Sequence, residues 1–240
     1  MDEDRPRRIV VLAPMRTELA PVVKRLRLKR DGQNDTRWES TRDGVRVIAA
    51  CAGVGTAPAR AVTETMIDEL DPDHVVVVGI AGALGAELAI GDLVTPAYAI
   101  DAASGDRFDA TGFGLEVLAG EAPTGGVITT DHFLDPSVTD RHHRSGVLAV
   151  DMETSAVAAV CVRRDVTWSA YRAISDRLVD GLVDERVAGL IGADGRPNVV
   201  NLLRYLGPRP WRILRLARLG RDSNIATRAA AEALAASLGW

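Results

Sequence analysis

Apolar residues along this chain form two alternating patterns: unbroken runs, and stretches with an apolar residue every three or four positions. Ile9–Ala13 is apolar throughout, and His74–Val78 is apolar after its first residue, as is typical of parallel strands buried on both faces. Helical spacing follows such runs, as in Pro58–Leu70. The alternation predicts a single α/β domain over residues 1–240. We expect a mixed, largely parallel central sheet flanked by helices, with a helical C-terminal extension over residues 202–240.

One strand–helix–strand segment carries the most informative pattern. The apolar run Val147–Val150 leads into two acids, Asp151 and Glu153, then a helical stretch, then a strand-like run that ends at Asp176. In a βαβ unit both strands finish at the same edge of a parallel sheet, where α/β proteins bind ligands. Asp151 or Glu153 alone is explained as a helix-start charge, and Asp176 alone as a turn cap. Glu153 and Asp176 together, at matching strand ends, favour a site for acid chemistry.

A third acid follows the first strand. Glu18 lies just after Ile9–Ala13, at the start of an amphipathic helix, and is therefore expected at the same sheet edge. A glutamate at a helix start is also explained by the helix dipole alone.

Glycine-rich turns divide the first half of the chain. Asp43-Gly44 joins two strand-like runs and predicts a hairpin, and Gly53-Val54-Gly55 separates a strand from a helix. The latter resembles a dinucleotide fingerprint only weakly, because Pro58 stands at its third glycine position. The glycines do allow backbone N–H groups to approach a ligand closely. The stretch 101–123 has little periodicity and is predicted to be a loop.

Composition limits the classes of function. The chain is 47% hydrophobic and 26% charged, and its net charge of −4 provides no general attraction to nucleic acid. Cys51 and Cys161 lack metal-binding spacing and are interpreted as buried thiols in a reducing compartment. The charged N-terminus lacks the apolar core of a signal peptide, and no apolar run is long enough for a bilayer. We therefore expect a cytoplasmic protein that uses no metal and binds no nucleic acid.

The C-terminal region differs in character. Arginines recur through residues 202–219, with Arg212, Arg215 and Arg218 at every third position among apolar residues. Such a helix is explained by a solvated face over the core, by a partner surface or by contact with a membrane surface; we favour the first. A final alanine-rich helix, Ile225–Leu238, is predicted to pack on the sheet.

Several segments together resemble the nucleoside phosphorylase/nucleosidase superfamily, especially its methylthioadenosine/S-adenosylhomocysteine nucleosidase branch. The matching segments are APMRTEL at 13–19, Gly53-Val54-Gly55, VGIAGALGAELAIGDLV at 78–94, VDMETSA at 150–156 and RAISD at 172–176. They occur in family order over about three-quarters of the chain. The tail after Val187 is more similar to phosphorylase-like proteins associated with hopanoid lipid biosynthesis.

The resemblance implies a role for each matching position. Asp176 would protonate N7 of a purine leaving group, and Glu18 would deprotonate the attacking water. Met152 and Glu153 would hold the ribose, Phe133 would stack on the base, and Ala81 and Gly82 would contact the substrate. Such chemistry is coherent, because an oxocarbenium-like state needs a protonated leaving group and nearby negative charge. Asp176 would have to be shielded from water so that it keeps its proton.

The same resemblance leaves the nucleophile open. Val77 and Ile80 stand where phosphorolytic members carry an Arg and a Ser, although Arg16 could contact phosphate. We expect hydrolysis of a purine nucleoside without a metal or organic cofactor, by a homo-oligomer. The alternatives are phosphorolysis of a purine nucleoside or an adenosyl-lipid, and a nucleoside-binding module without turnover.

Overall fold

The computed structural model describes residues 5–32, 34–111, 125–132, 135–178 and 212–240, with backbone only at residues 136 and 212–216. Eleven strands and five helices lie in these ranges. The strands are β1 (Arg7–Ala13), β2 (Lys29–Arg30), β3 (Arg37–Arg42), β4 (Val45–Cys51), β5 (His74–Ala83), β6 (Leu93–Val94), β7 (Tyr98–Asp101), β8 (Arg107–Asp109), β9 (Gly126–Thr129), β10 (Val147–Asp151) and β11 (Thr167–Arg177). The helices are α1 (Arg16–Arg25), α2 (Thr56–Leu70), α3 (Pro136–Arg144), α4 (Thr154–Arg163) and α5 (Arg212–Leu238).

All of these strands join one mixed sheet, as predicted. Its order is β2-β3-β4-β1-β5-β10-β9-β7-β8, and β11 pairs with β5 and β6. The long pairings at the centre, β1 with β4, β1 with β5 and β5 with β11, are parallel. Alternate residues of β1 serve opposite faces, because side chains on a strand point alternately up and down. Val10 and Leu12 pack with α2 and α4, whereas Ile9 and Val11 pack with α1 and α5.

The prediction that the strands on either side of α4 run parallel is wrong. β11 is parallel to β5. β10 is antiparallel to β5 and pairs only with the last two residues of β5, Gly82 and Ala83. β5 continues beyond Val77, where its pairing with β1 stops, and its free C-terminal part accepts β10 from the opposite direction. The strands β10 and β11 still end beside the same few residues of β5, so the predicted convergence of their acids holds.

Two local predictions differ in outcome. The hairpin at Asp43-Gly44 is confirmed: both residues have positive φ, 51° and 76°, as a two-residue turn between twisted strands requires. Within the stretch predicted to be a loop, Arg107–Asp109 instead forms β8 against β7. Residues 112–124 lie outside the described ranges.

Within residues 212–240, the described part of the C-terminal region, one helix forms where two were expected, and residues 202–211 of the first expected helix lie outside the described ranges. The helix α5 continues through Gly220, whose carbonyl accepts a hydrogen bond from the Asn224 side chain at 2.8 Å. Its alanine-rich half packs on the sheet as predicted, since Ala226, Ala230 and Leu234 are fully buried in the cluster that contains α1 and β11.

Candidate active site

A cavity of about 580 Å³ opens where β1, β10 and β11 end, beside the last residues of β5. Six of the seven residues predicted from the sequence line it: Glu18, Ala81, Gly82, Met152, Glu153 and Asp176. The seventh, Phe133, lies outside the described residues. Its neighbours Thr130, Asp131 and His132 line the same cavity.

Glu18 is buried, although it stands at a helix start. Its Oε2 accepts a hydrogen bond from the backbone N–H of Ile80 at 2.9 Å, and Oε1 has no hydrogen-bond partner among the described residues. Burial raises the pKa of this carboxyl from 4.5 to about 7, partly opposed by the positive charge of Arg172. A glutamate that only served the helix dipole would lie in solvent, so the dipole does not explain this one.

Glu153 is also buried and is held from two sides. Its Oε1 accepts the N–H of Gly55 at 3.0 Å, and its Oε2 accepts from Arg172 Nη2 at 3.3 Å. Gly55 has φ of +97°, a conformation that favours glycine, and this conformation turns its N–H toward the carboxylate. The glycine turn was expected to bring a backbone N–H close to a ligand, and the N–H of Gly55 instead binds the side chain of Glu153. Burial raises the pKa of Glu153 to about 8, against the opposing charge of Arg172.

Arg172 is the residue that reasoning from the sequence missed. Its side chain is fully buried and its Nη2 lies 2.6 Å from Asp151 Oδ2. Nε donates to Thr154 Oγ1 at 3.1 Å, and Nη1 lies 3.4 Å from the carbonyl oxygen of Ile80. Burial alone would lower its pKa, but the three carboxylates around it outweigh burial and the pKa is raised. The signal was present, because an arginine inside an apolar strand needs buried acids as partners.

Asp176 lines the same cavity from strand β11. β11 shifts register between Ile174 and Asp176, which places Asp176 opposite Gly82, and a shift of this kind re-aims a side chain. Its Oδ1 accepts a hydrogen bond from Ser175 Oγ at 2.7 Å. Asp176 is half-buried, so it is less shielded than the sequence analysis expected and less enclosed than the two glutamates.

Glu18 and Asp176 lie beside different residues of strand β5. Glu18 binds the N–H of Ile80, whereas Asp176 Oδ2 lies 3.2 Å from the position of a Cβ on Gly82. Two residues of a strand span roughly 7 Å. The glutamates and Asp176 can therefore contact different parts of one ligand, the former from buried positions and the latter from a half-buried one.

A hydrogen-bonded contact crosses between two loops at the mouth of the cavity. Asp131 accepts from the N–H of Thr56 at 2.8 Å and from its hydroxyl at 2.5 Å. These bonds cap α2 and hold its glycine turn, which includes the cavity residue Val54, beside the loop that follows β9.

Comparisons with known proteins agree with this architecture. The family model described as Phosphorylase superfamily matches residues 8–141 and 118–199. A 5′-methylthioadenosine/S-adenosylhomocysteine nucleosidase of Mycobacterium bovis is 29% identical, over 68% of this chain and 83% of the relative.

Two solved structures have the same fold. Futalosine hydrolase of Helicobacter pylori matches with a TM-score of 0.71 and 18% identity, over 97% of each chain. A nucleosidase mutant of the same organism, with 5′-methylthioadenosine in its active site, matches with a TM-score of 0.71 and 17% identity, over 97% of this chain and 98% of that one.

Proposed function

This chain belongs to the phosphorylase superfamily, and from that membership and its cavity we propose that it hydrolyses the N-glycosidic bond of an adenine-type purine nucleoside. The observation that carries the proposal is that two buried glutamates and one half-buried aspartate line one cavity, with Glu18 bound to Ile80 and Asp176 beside Gly82. The nucleosidase relative, whose name refers to two adenosine derivatives, supports the choice of base.

The aspartate is assigned to the leaving group. Cleavage leaves negative charge on the purine unless a proton is delivered to N7, and Asp176, which lines the cavity beside Gly82, is the acid to which the family resemblance gives that role. The hydroxyl of Ser175 donates a hydrogen bond to Oδ1 of Asp176, which helps to orient the carboxyl group. We assign Asp176 as general acid, a role usually worth 10²–10⁴-fold in rate.

The glutamates suit the sugar and the water. Glu153 lies at the start of α4 next to Met152, which is 37% exposed in the cavity, and its carboxylate would accept hydrogen bonds from ribose hydroxyls. Glu18 keeps one oxygen without a partner among the described residues, so that oxygen is available to a water molecule. With its pKa near 7, Glu18 can accept a proton at neutral pH. Phe133 is retained as the proposed stacking residue, from the resemblance alone.

Water is favoured over phosphate as the nucleophile. The N–H of Ile80, a donor that could bind an anion, is already bound to Glu18, and the side chains of Val77 and Ile80 supply no charge. Arg16 is exposed and is not among the cavity residues. A phosphate dianion in this pocket would lie next to Glu18, which has to be ionised to act as a base, and repulsion between like charges is strong in a dry pocket.

Product analysis tests the proposal. Purified protein is incubated with adenosine, inosine, methylthioadenosine or adenosylhomocysteine, with and without phosphate, and released base and sugar are quantified. We expect free adenine and free sugar without phosphate. A sugar 1-phosphate formed only with phosphate would establish phosphorolysis, and binding without any product would establish a non-catalytic module.

The assembly is a separate proposal. We propose a homo-oligomer in the cytoplasm, and light scattering after size-exclusion chromatography measures the oligomeric state directly. Among the helices of the described residues, none is long and apolar enough to cross a bilayer.

A further inference from the structure

Asp151 is the most completely bonded acid in the cavity wall. Its Oδ1 accepts from Thr129 Oγ1 at 2.7 Å and from the N–H groups of Glu153 and Thr154 at 3.3 Å each. Its Oδ2 accepts from the hydroxyl of Thr154 and pairs with Arg172 at 2.6 Å. The hydroxyl of Thr129 accepts in turn from the N–H of Ser155 at 2.8 Å. A carboxylate with this many donors is fixed in position.

The charges around Asp151 do not balance. Arg172 supplies one buried positive charge to three carboxylates: Glu18 from α1, and Asp151 and Glu153 from the end of β10. Its Nη2 is 2.6 Å from Asp151 but 3.3 Å from Glu153. Further groups near the cluster are Asp176 on β11, Cys51 and Arg16 beside Glu18, and Asp131 beside Gly55. Arg172, the only buried cation described in this cluster, therefore lies closest to Asp151, an acid that has no part in the proposed reaction.

We propose that Asp151 is a positioning residue that holds Arg172 between the two reacting glutamates and takes up much of its positive charge. The inference rests on the function proposed above for Glu18 and Glu153. Without Asp151 the full charge of Arg172 would act on both glutamates, and both would ionise at lower pH. Asp151 thereby keeps Glu18 a base strong enough to take a proton from water near neutral pH.

The electrostatics of the cluster agree with the geometry. The negative charge of Asp151 is among the causes that raise the pKa of Glu18 and of Glu153, after burial and against the charge of Arg172. Thr154 completes the arrangement, since its hydroxyl donates to Asp151 and accepts from Nε of Arg172. One hydroxyl therefore fixes the acid and the arginine together.

The first experiment needs no substrate. Glutamate carboxyl carbons are labelled with ¹³C, and the signals of Glu18 and Glu153 are assigned with Glu18→Gln and Glu153→Gln and titrated in the free protein. In Asp151→Asn we expect both midpoints to fall by about one pH unit or more, the size typical of a nearby charge. Midpoints that stay in place or rise would overturn the proposal.

A second pair of variants covers the case in which Asp151→Asn does not fold. Thr154→Val keeps every charge but removes the hydroxyl that joins Asp151 to Arg172, and Thr154→Ser restores a hydroxyl. We expect a smaller fall of the Glu153 midpoint, roughly half a unit, in the valine variant only. Wild-type titration in both variants would count against the proposal, because a purely structural role predicts that result.

A kinetic measurement links the inference to turnover. The rising limb of kcat/KM against pH should move to lower pH in Asp151→Asn by the same amount as the Glu18 midpoint. Asp68→Asn, which removes an exposed acid paired with Arg164, is the control and should change neither limb nor titration. If the wild-type protein releases no base, the proposed function fails, and the substrate-free titration still decides the role of Asp151.

Discussion

The acids of this cavity differ in how deeply their side chains are buried. Glu18 and Glu153 are deeply buried and have pKa values raised to about 7 and about 8, mainly by loss of hydration. Asp176 is half-buried and is bonded to Ser175. Two acids in a dry pocket next to one buried arginine can exchange protons near neutral pH, which ordinary surface carboxylates cannot do.

Replacing Asp176 tests the assignment of the general acid. Asp176→Asn should retain the fold, because Asn can still accept a hydrogen bond from Ser175, and should lose roughly 10²–10⁴-fold in kcat. Base release from methylthioadenosine and circular dichroism measure the two properties. Asp109→Asn, at an exposed acid on β8, is the matched control. Near-normal base release by Asp176→Asn would remove Asp176 from the mechanism.

Replacing Glu18 tests the assignment of the base. Glu18→Gln should abolish hydrolysis while nucleoside binding, measured by calorimetry, survives. In the wild-type protein the base must be ionised, so kcat/KM should rise with pH through about 7. Full restoration of base release by phosphate in the variant would show instead that the enzyme is a phosphorylase.

The same substitution has an effect on stability whose sign follows from burial. Between pH 4.5 and about 7 the folded protein retains the Glu18 proton that the unfolded chain has lost. The contribution of this group is thus greatest at low pH and falls as pH rises through that window, by on the order of 3 kcal/mol. We therefore expect Glu18→Gln to raise Tm relative to wild type at pH 8 but not at pH 4. An equal change at both pH values would contradict this account.

At this scale the sequence was informative where an acid followed a strand. Glu18, Glu153 and Asp176 were expected at one sheet edge from that position, the family resemblance gave each of them a role, and all three line the cavity. Arg172 and Asp151 were not assigned roles, because their ion pair joins β10 and β11, which do not pair with each other but each pair with β5. Such a pairing depends on sheet order, which local patterns do not specify.

At the scale of secondary-structure elements, strand β5 lies beside the charged residues of the site. Gly79, Ile80 and Gly82 of this strand border Glu18, Arg172 and Asp176. A Cβ on Gly79 would collide with Glu18 Oε2 and would lie 2.8 Å from Arg172 Nη1. The glycine is therefore required for the glutamate and the arginine to approach each other over the strand.

Gly79→Ala should displace Glu18 and reduce base release by about 10²-fold, since a shift of about 1 Å in a catalytic group has that effect. Gly32→Ala is the control, because nothing lies within 4 Å of a Cβ at that position. Activity and the Glu18 titration are measured in both variants. Full activity in Gly79→Ala would mean that Glu18 tolerates displacement and does not act as a precisely placed base.

The direction of β10 was the main error at this scale. The pattern strand–helix–strand is the same whether the two strands are parallel neighbours or lie on either side of a third strand. Only the length of β5, which outreaches β1 and accepts β10 at its end, separates the two cases. The runs of apolar residues predicted the strands, but not where each strand stops pairing.

At the scale of the whole molecule, α5 is part of the core. Its fully buried Ala226, Ala230 and Leu234 pack on α1 and β11, so a protein ending near residue 201 would lose a structural layer. Membrane contact, one of the alternative explanations of the basic stretch, must therefore be tested by replacing charged residues and not by truncation. The side chains of Arg212 and Arg215 lie outside the described residues, whereas Arg218 lies 3.6 Å from Asp222.

Co-sedimentation with phosphatidylserine vesicles is the measurement. If the basic stretch meets anionic lipid, intact protein should pellet at low salt and be released at high salt. Arg212→Gln with Arg215→Gln should then weaken binding roughly 30-fold, about 1 kcal/mol for each charge. Arg228→Gln, at an exposed position of the alanine-rich half, is the control. Protein that stays in the supernatant at low salt would mean that the helix is structural only and would favour a small soluble nucleoside.

The position of β5 also determines how the protein should respond to heat. This strand is hydrogen-bonded to β1 and β10 on one side and to β11 on the other, and these neighbours carry or adjoin the cavity acids. Regions with few buried contacts loosen first on heating. Strand β5 is buried between its neighbours and is therefore not such a region. Thermal inactivation should therefore coincide with global unfolding, and the two transitions should overlay when activity and ellipticity are followed in the same scan.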